Sequence, residues 1–121
     1  MPTLWFLRIF LGLYVIFTIL VSLLPGRGEA IAHWDKVGHY LVYLMMAILA
    51  LLSFKSGRAR FICLISMAVL SYGLEWAQSY IPGRSMSFLD GLTNTLGLLT
   101  GLAVFHFQRV LHWLRNKSRS E

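Results

Sequence analysis

Residues 35–54, DKVGHYLVYLMMAILALLSF, decide the fold. The stretch opens on Asp35, Lys36 and His39, then runs without a charge to Phe54. A helix rises 1.5 Å per residue, so about 20 residues cross the ~30 Å hydrocarbon core of a bilayer. Lipid offers the backbone no hydrogen-bond partners, so an apolar run of this length must satisfy itself as a helix. The stretch therefore reads as a membrane span with its polar residues gathered at one end.

Three more segments read the same way. Spans are expected at about 4–24, 35–54, 60–80 and 87–114, separated at Pro25-Gly26, at Lys55-Ser56-Gly57-Arg58 and at Pro82-Gly83. Proline and glycine break helices, and the two outer connections carry both. The 121 residues are 57% hydrophobic and 13% charged; a soluble domain carries about 25% charged residues. A mean hydropathy of +0.65 agrees. The expected fold is all-α, a four-helix transmembrane bundle forming a single domain over residues 1–121. The run after Arg8 is slightly long for a signal peptide and no small-x-small cleavage site follows it, so it reads as an uncleaved span.

Charge sets the orientation. The formal charge is +6 and the pI about 10.0. The basic residues flank apolar runs, which points to membrane topology, and no nucleic-acid motif is present. Arg8, Lys55, Arg58, Arg60, Arg109, Arg115, Lys117 and Arg119 fall on one side, and Arg27, Lys36 and Arg84 on the other. By the positive-inside rule, both termini are expected in the cytoplasm. Trp34 and Tyr80 then mark the outer interface, Trp5 and Trp113 the inner one. Arg8 and Arg109 can snorkel to the inner interface. Residues 115–121 read as a disordered basic tail or one resting on anionic headgroups. Cys63 is the only cysteine, so it has no partner within the chain and reads as a small apolar residue.

Eight polar residues fall at the outer ends of three spans: Asp35, Lys36, His39, Glu75, Gln78, Arg84, Asp90 and Asn94. An ionisable group at the bilayer centre costs about 2.5–3.5 kcal/mol even on the mild insertion scale. At 1.5 Å per residue, His39, Glu75 and Asn94 should share one layer, with Asp35, Gln78 and Asp90 above it. Spacings of three and four keep each pair on one helix face.

Ordinary roles compete for most of them. Asp35 and Asp90 suit helix N-termini, and Ser87-Phe88-Leu89-Asp90 reads as a capping box. Lys36 and Arg84 suit an interface, and Gln78 and Asn94 suit interhelical hydrogen bonds. His39 alone reads as a satisfied core histidine. Glu75 does not fit the C-terminal end of a helix, where the dipole opposes a negative charge. Gly97-x-x-x-Gly101 lets another helix approach closely, which suits a crossing of the second and fourth spans.

The order Asp35-Lys36-x-x-His39, Glu75-x-x-Gln78, Arg84, Asp90-x-x-x-Asn94-x-x-Gly97 resembles the signature of VanZ-like membrane proteins, over about residues 35–101. The resemblance implies a multi-pass protein of the bacterial cell (inner) membrane. That family takes its name from a protein linked to resistance against the glycopeptide teicoplanin, which binds peptidoglycan precursors on the outer face. It implies a cell-envelope context and no reaction.

Three functions are open at this point. The first is binding of an anionic envelope lipid or peptidoglycan precursor, with Lys36 and Arg84 on the headgroup and the N-termini of the second and fourth helices beside it. The second is a membrane enzyme using His39, Glu75 and Asp90 in acid–base or nucleophilic roles. The third is a structural part, including a subunit of a proton-coupled carrier. The partners expected are the lipid bilayer and a second copy of the chain, not nucleic acid. No cofactor is expected. No metal is assigned to His39, Glu75 and Asp90, because two cations lie nearby.

Overall fold

A computed structural model describes residues 2–25 and 32–119, apart from the side chains of residues 2 and 32–34. Four helices follow in order: α1 (Pro2–Ser22), α2 (Ala32–Ser53), α3 (Gly57–Gln78) and α4 (Phe88–Lys117). Each is long and apolar enough to cross a membrane. The expected all-α, four-span architecture is what the chain adopts. Arg27 and the Trp34 side chain lie outside the described residues.

The boundaries differ from the expected ones in ways that matter for the site. α2 starts at Ala32, so Asp35 lies within the first turn rather than at the cap. Gly57 opens α3 instead of belonging to a linker, because Ser56 caps the helix by accepting from Ala59 N at 3.2 Å. α3 ends at Gln78, where the chain tightens into i→i+3 turns such as Ser79 N to Trp76 O. α4 continues to Lys117, so Arg115–Lys117 are helical rather than a loose tail, with two cations suiting the C-terminal dipole.

The interior is small and partly polar. Tyr43, Met46, Ala47 and Ala50 of α2 pack with Leu11, Met67 and Leu98 from the other three helices. Beside them lie buried Ser71, Glu75, Gln78, Asp90 and Asn94. Large apolar side chains face outward instead, among them Phe6, Phe17, Phe61, Val69 and Phe107. This polar-in, apolar-out pattern is what lipid as a solvent requires.

α2 and α4 share the most extensive interface, and α1 leans mainly on α2. Two glycines set the α2–α4 distance. A Cβ on Gly97 would lie 2.5 Å from Tyr40 O, and one on Gly101 would lie 2.6 Å from the Ala47 Cβ. At the arginine-rich end, Arg8 donates to Ser53 O at 3.2 Å. Arg60 donates to Leu51 O and Phe54 O at 3.0 and 2.7 Å. The carbonyls that end α2 are therefore met by cations, as a helix C-terminus favours. The described acids, Asp35, Glu75 and Asp90, all lie toward the opposite end.

Candidate functional site

The sequence sets the depths of the polar residues, and the α2–α4 crossing sets who meets whom. His39 and Asn94 lie on facing helices, and His39 Nδ1 is 3.1 Å from Asn94 Oδ1. Asn94 Nδ2 donates to Ser71 Oγ of α3 at 2.8 Å. One buried amide thus ties α2, α3 and α4 together. That bond also orients the imidazole. Asn94 turns its oxygen to His39, so Nδ1 donates the proton of that bond and Nε2 is the ring nitrogen left over. Nε2 points toward Asp35 Oδ1, 3.9 Å away.

Glu75 lies in the same layer. Its Oε1 is 4.0 Å from His39 Nδ1, near enough for charge attraction but too far for a hydrogen bond. Its Oε2 accepts from the Ser87 backbone N–H at 3.4 Å. This changes the reading of residues 87–90. Ser87 Oγ does accept from Asp90 N at 3.3 Å, as a capping box requires. The reciprocal bond from the third residue back to the cap N–H is absent, because Glu75 of α3 takes that N–H. Glu75 has no capping use on its own helix but serves the start of α4.

Asp90 is thereby free to face α2, and Lys36 Nζ reaches it at 2.9 Å. Lys36 and Arg84, expected together at a headgroup, thus stand in different surroundings when no ligand is bound. Lys36 is already matched to an acid on α4. Arg84 lines a different space, a cavity of about 260 Å³ bounded by α1, α2 and the end of α3. Ile81-Pro82-Gly83-Arg84 brings it there. Arg84 N donates to Ile81 O at 3.1 Å, and Gly83 has φ 76°, the geometry of a type II turn. The Arg84 Nε is buried and has no hydrogen-bond partner among the described residues.

The cavity is amphipathic. Arg84, Asp35, His39 and Gln78 form its polar part, and Phe17, Val21 and Val42 contribute apolar wall. Gln78 joins α3 to α1 by donating to Ser22 O at 3.0 Å, so its role reaches a helix outside the polar trio.

Sequence reading missed Ser71, the bond from Ser87 N to Glu75 and the cavity wall on α1. Ser71 lies four residues before Glu75, on the same helical face, which is the signal that could have found it. The α1 wall has no such signal, because its residues are ordinary for a span.

Asp35, His39 and Asp90 each offer one ligand atom within 4.8 Å of the others. This cation-receptive set differs from the His39, Glu75 and Asp90 combination by exchanging Glu75, which Ser87 occupies, for Asp35. The Lys36 ammonium on Asp90 opposes a divalent ion there.

No curated protein and no solved structure shows a significant match to the chain. The VanZ/LLP1 family model matches residues 3–111, nearly the whole of the four-helix bundle, and this multi-pass membrane protein belongs to that family.

Proposed function

We propose that the protein is a receptor site for an anionic envelope lipid or lipid-linked cell-wall precursor, set in the outer half of the bacterial inner membrane. One observation carries this: the buried Arg84 Nε with no partner, at the polar end of a cavity with an apolar wall. A buried charged donor left unmatched costs more than the ~1–3 kcal/mol of a neutral one. An oxyanion in the cavity would remove that cost, and guanidinium suits a phosphate or carboxylate through paired N–H donors. The apolar wall would take the part of the ligand next to its headgroup. A precursor ligand is the route by which a family named for teicoplanin resistance would bear on glycopeptides.

The test is native mass spectrometry or thermal shift with anionic and zwitterionic phospholipids. Arg84→Ala is expected to keep the fold, since the Arg84 Nε has no hydrogen-bond partner among the described residues, and to lose about tenfold or more in affinity for phosphate-bearing lipid. Arg84→Lys is expected to recover only part, because an ammonium cannot make the paired contact. Equal lipid response in all three proteins would remove the headgroup site and leave the structural role.

An enzymatic reading has one observation in its favour. Asn94 bonds Nδ1 of His39, a residue that lines the cavity, so Nε2 is the nitrogen left for proton transfer. Turnover of a lipid-linked substrate by purified protein, lost in His39→Gln, would establish it.

A further inference from the structure

The cavity carries opposite charges that do not pair with each other. Arg84 and Asp35 both line it. Among the described residues, Arg84 makes no ion pair, and Asp35 approaches only His39 Nε2, at 3.9 Å. His39 gives its Nδ1 to Asn94, which leaves Nε2 as the ring nitrogen on the side of Asp35. A carboxylate oxygen of Asp35, one of Asp90 and a ring nitrogen of His39 lie within 4.8 Å of one another. A primary ammonium has three N–H donors and no acceptor, and so matches such a set. A purely anionic headgroup would instead bring like charge against Asp35.

We propose that the ligand is dipolar: an oxyanion received by Arg84, and a primary ammonium received by the Asp35 and Asp90 carboxylates beside His39. The proposal rests on the oxyanion contact of the headgroup reading above and departs from it in net charge: the headgroup carries an amine beside the oxyanion, as in an aminophospholipid or an aminoacylated lipid. The cavity volume of about 260 Å³ lies just below the ~300–1,000 Å³ of drug-sized sites, which suits a headgroup rather than a large glycan. The Lys36–Asp90 pair stands beside the ammonium end and limits it to a single positive charge, since a divalent ion would meet stronger repulsion.

The experiment compares three phospholipids with identical chains, bound to the full-length protein and read by native mass spectrometry. Phosphatidylethanolamine carries phosphate and primary amine. Phosphatidylcholine keeps the charges but has no N–H. Phosphatidylglycerol lacks the amine. Wild type is expected to prefer phosphatidylethanolamine about tenfold or more, as charge-assisted hydrogen bonds imply. Asp35→Asn is expected to bring the phosphatidylethanolamine-to-phosphatidylglycerol ratio near one, and Asp35→Glu to restore part of it. Asp35 is 68% exposed, so neither change should disturb folding.

Equal binding of the three lipids by wild type, or an unchanged ratio in Asp35→Asn, would overturn the dipolar ligand. Loss of binding in Arg84→Ala would still uphold the headgroup site in that case. Failure of Arg84→Ala to weaken any lipid would overturn the headgroup site itself. Loss of the preference in EDTA would replace the ammonium by a divalent cation on the same three residues. Competition by soluble glycerophosphoethanolamine at lipid-like concentrations would assign the dipolar group to a soluble source, and its failure to compete would assign it to the membrane. Both results uphold the dipolar chemistry.

Discussion

Asn94 is the residue on which the site turns. It is almost fully buried and serves two partners on two other helices, His39 and Ser71. Truncation strands an imidazole N–H and a serine hydroxyl where water cannot replace the amide. Asn94→Ala is therefore expected to destabilise the protein by about 1–3 kcal/mol. Ser71→Ala leaves the His39–Asn94 bond in place and should cost less, nearer the ~0.6 kcal/mol typical of each interhelical bond in bilayers. Equilibrium unfolding in mixed micelles measures both. Equal stability of Asn94→Ala and wild type would mean that the amide does not join the three helices. The contrast with Arg84 is instructive, since one buried polar group is fully matched and the other is not.

Helix packing follows from the glycines at the α2–α4 crossing. A methyl on Gly97 meets the Tyr40 carbonyl, which is backbone and cannot swing aside. Gly97→Ala must push the helices apart, at about 1–3 kcal/mol for overpacking. It should also loosen the His39–Asn94 bond, three residues before it on α4. Gly101→Ala meets the Ala47 Cβ and should behave alike. Gly12 and Gly73 have nothing within 4 Å of an added Cβ, so alanine there should be neutral or slightly stabilising. Thermal melts of the four variants check this, and equal effects at all four positions would refute a tight crossing. Gly91 belongs with the first pair only in part, because its added Cβ would meet the Tyr72 ring, a side chain with some freedom to move.

Across the whole molecule, charge is sorted by end. The described acids collect at the end that bears the cavity, while Arg8, Arg60 and Arg109 collect at the other. Arg8 and Arg60 also lie over aromatic rings, Phe54 at 5.3 Å and Phe105 at 4.8 Å. The positive-inside rule then supports both termini in the cytoplasm and the cavity on the outer side. Reporter fusions after Gly57 and after Arg84 are expected to report opposite sides of the membrane, the second one outside. An extracytoplasmic signal from the Gly57 fusion would reverse the orientation and take the envelope-ligand reading with it.

The sequence by itself determined the four spans, the common depth of the polar residues and the close α2–α4 approach. Hydropathy, helical rise and glycine size are local properties, and each is legible along one strand of text. Only the tertiary structure decided the partners. Depth along a helix does not specify rotation about its axis relative to a neighbour, and rotation is set by packing across residues far apart in the chain. So Lys36 could be placed at the rim, but not on Asp90 at 2.9 Å. Glu75 could be singled out, but not as the acceptor for Ser87 at the start of α4. Arg84 could be counted as a cation, but its separation from Lys36 depends on the turn at Gly83 and on a wall supplied by α1. The composition of the site was legible because lipid makes polar residues conspicuous; the division of its charges was not, because that is a property of the space between helices.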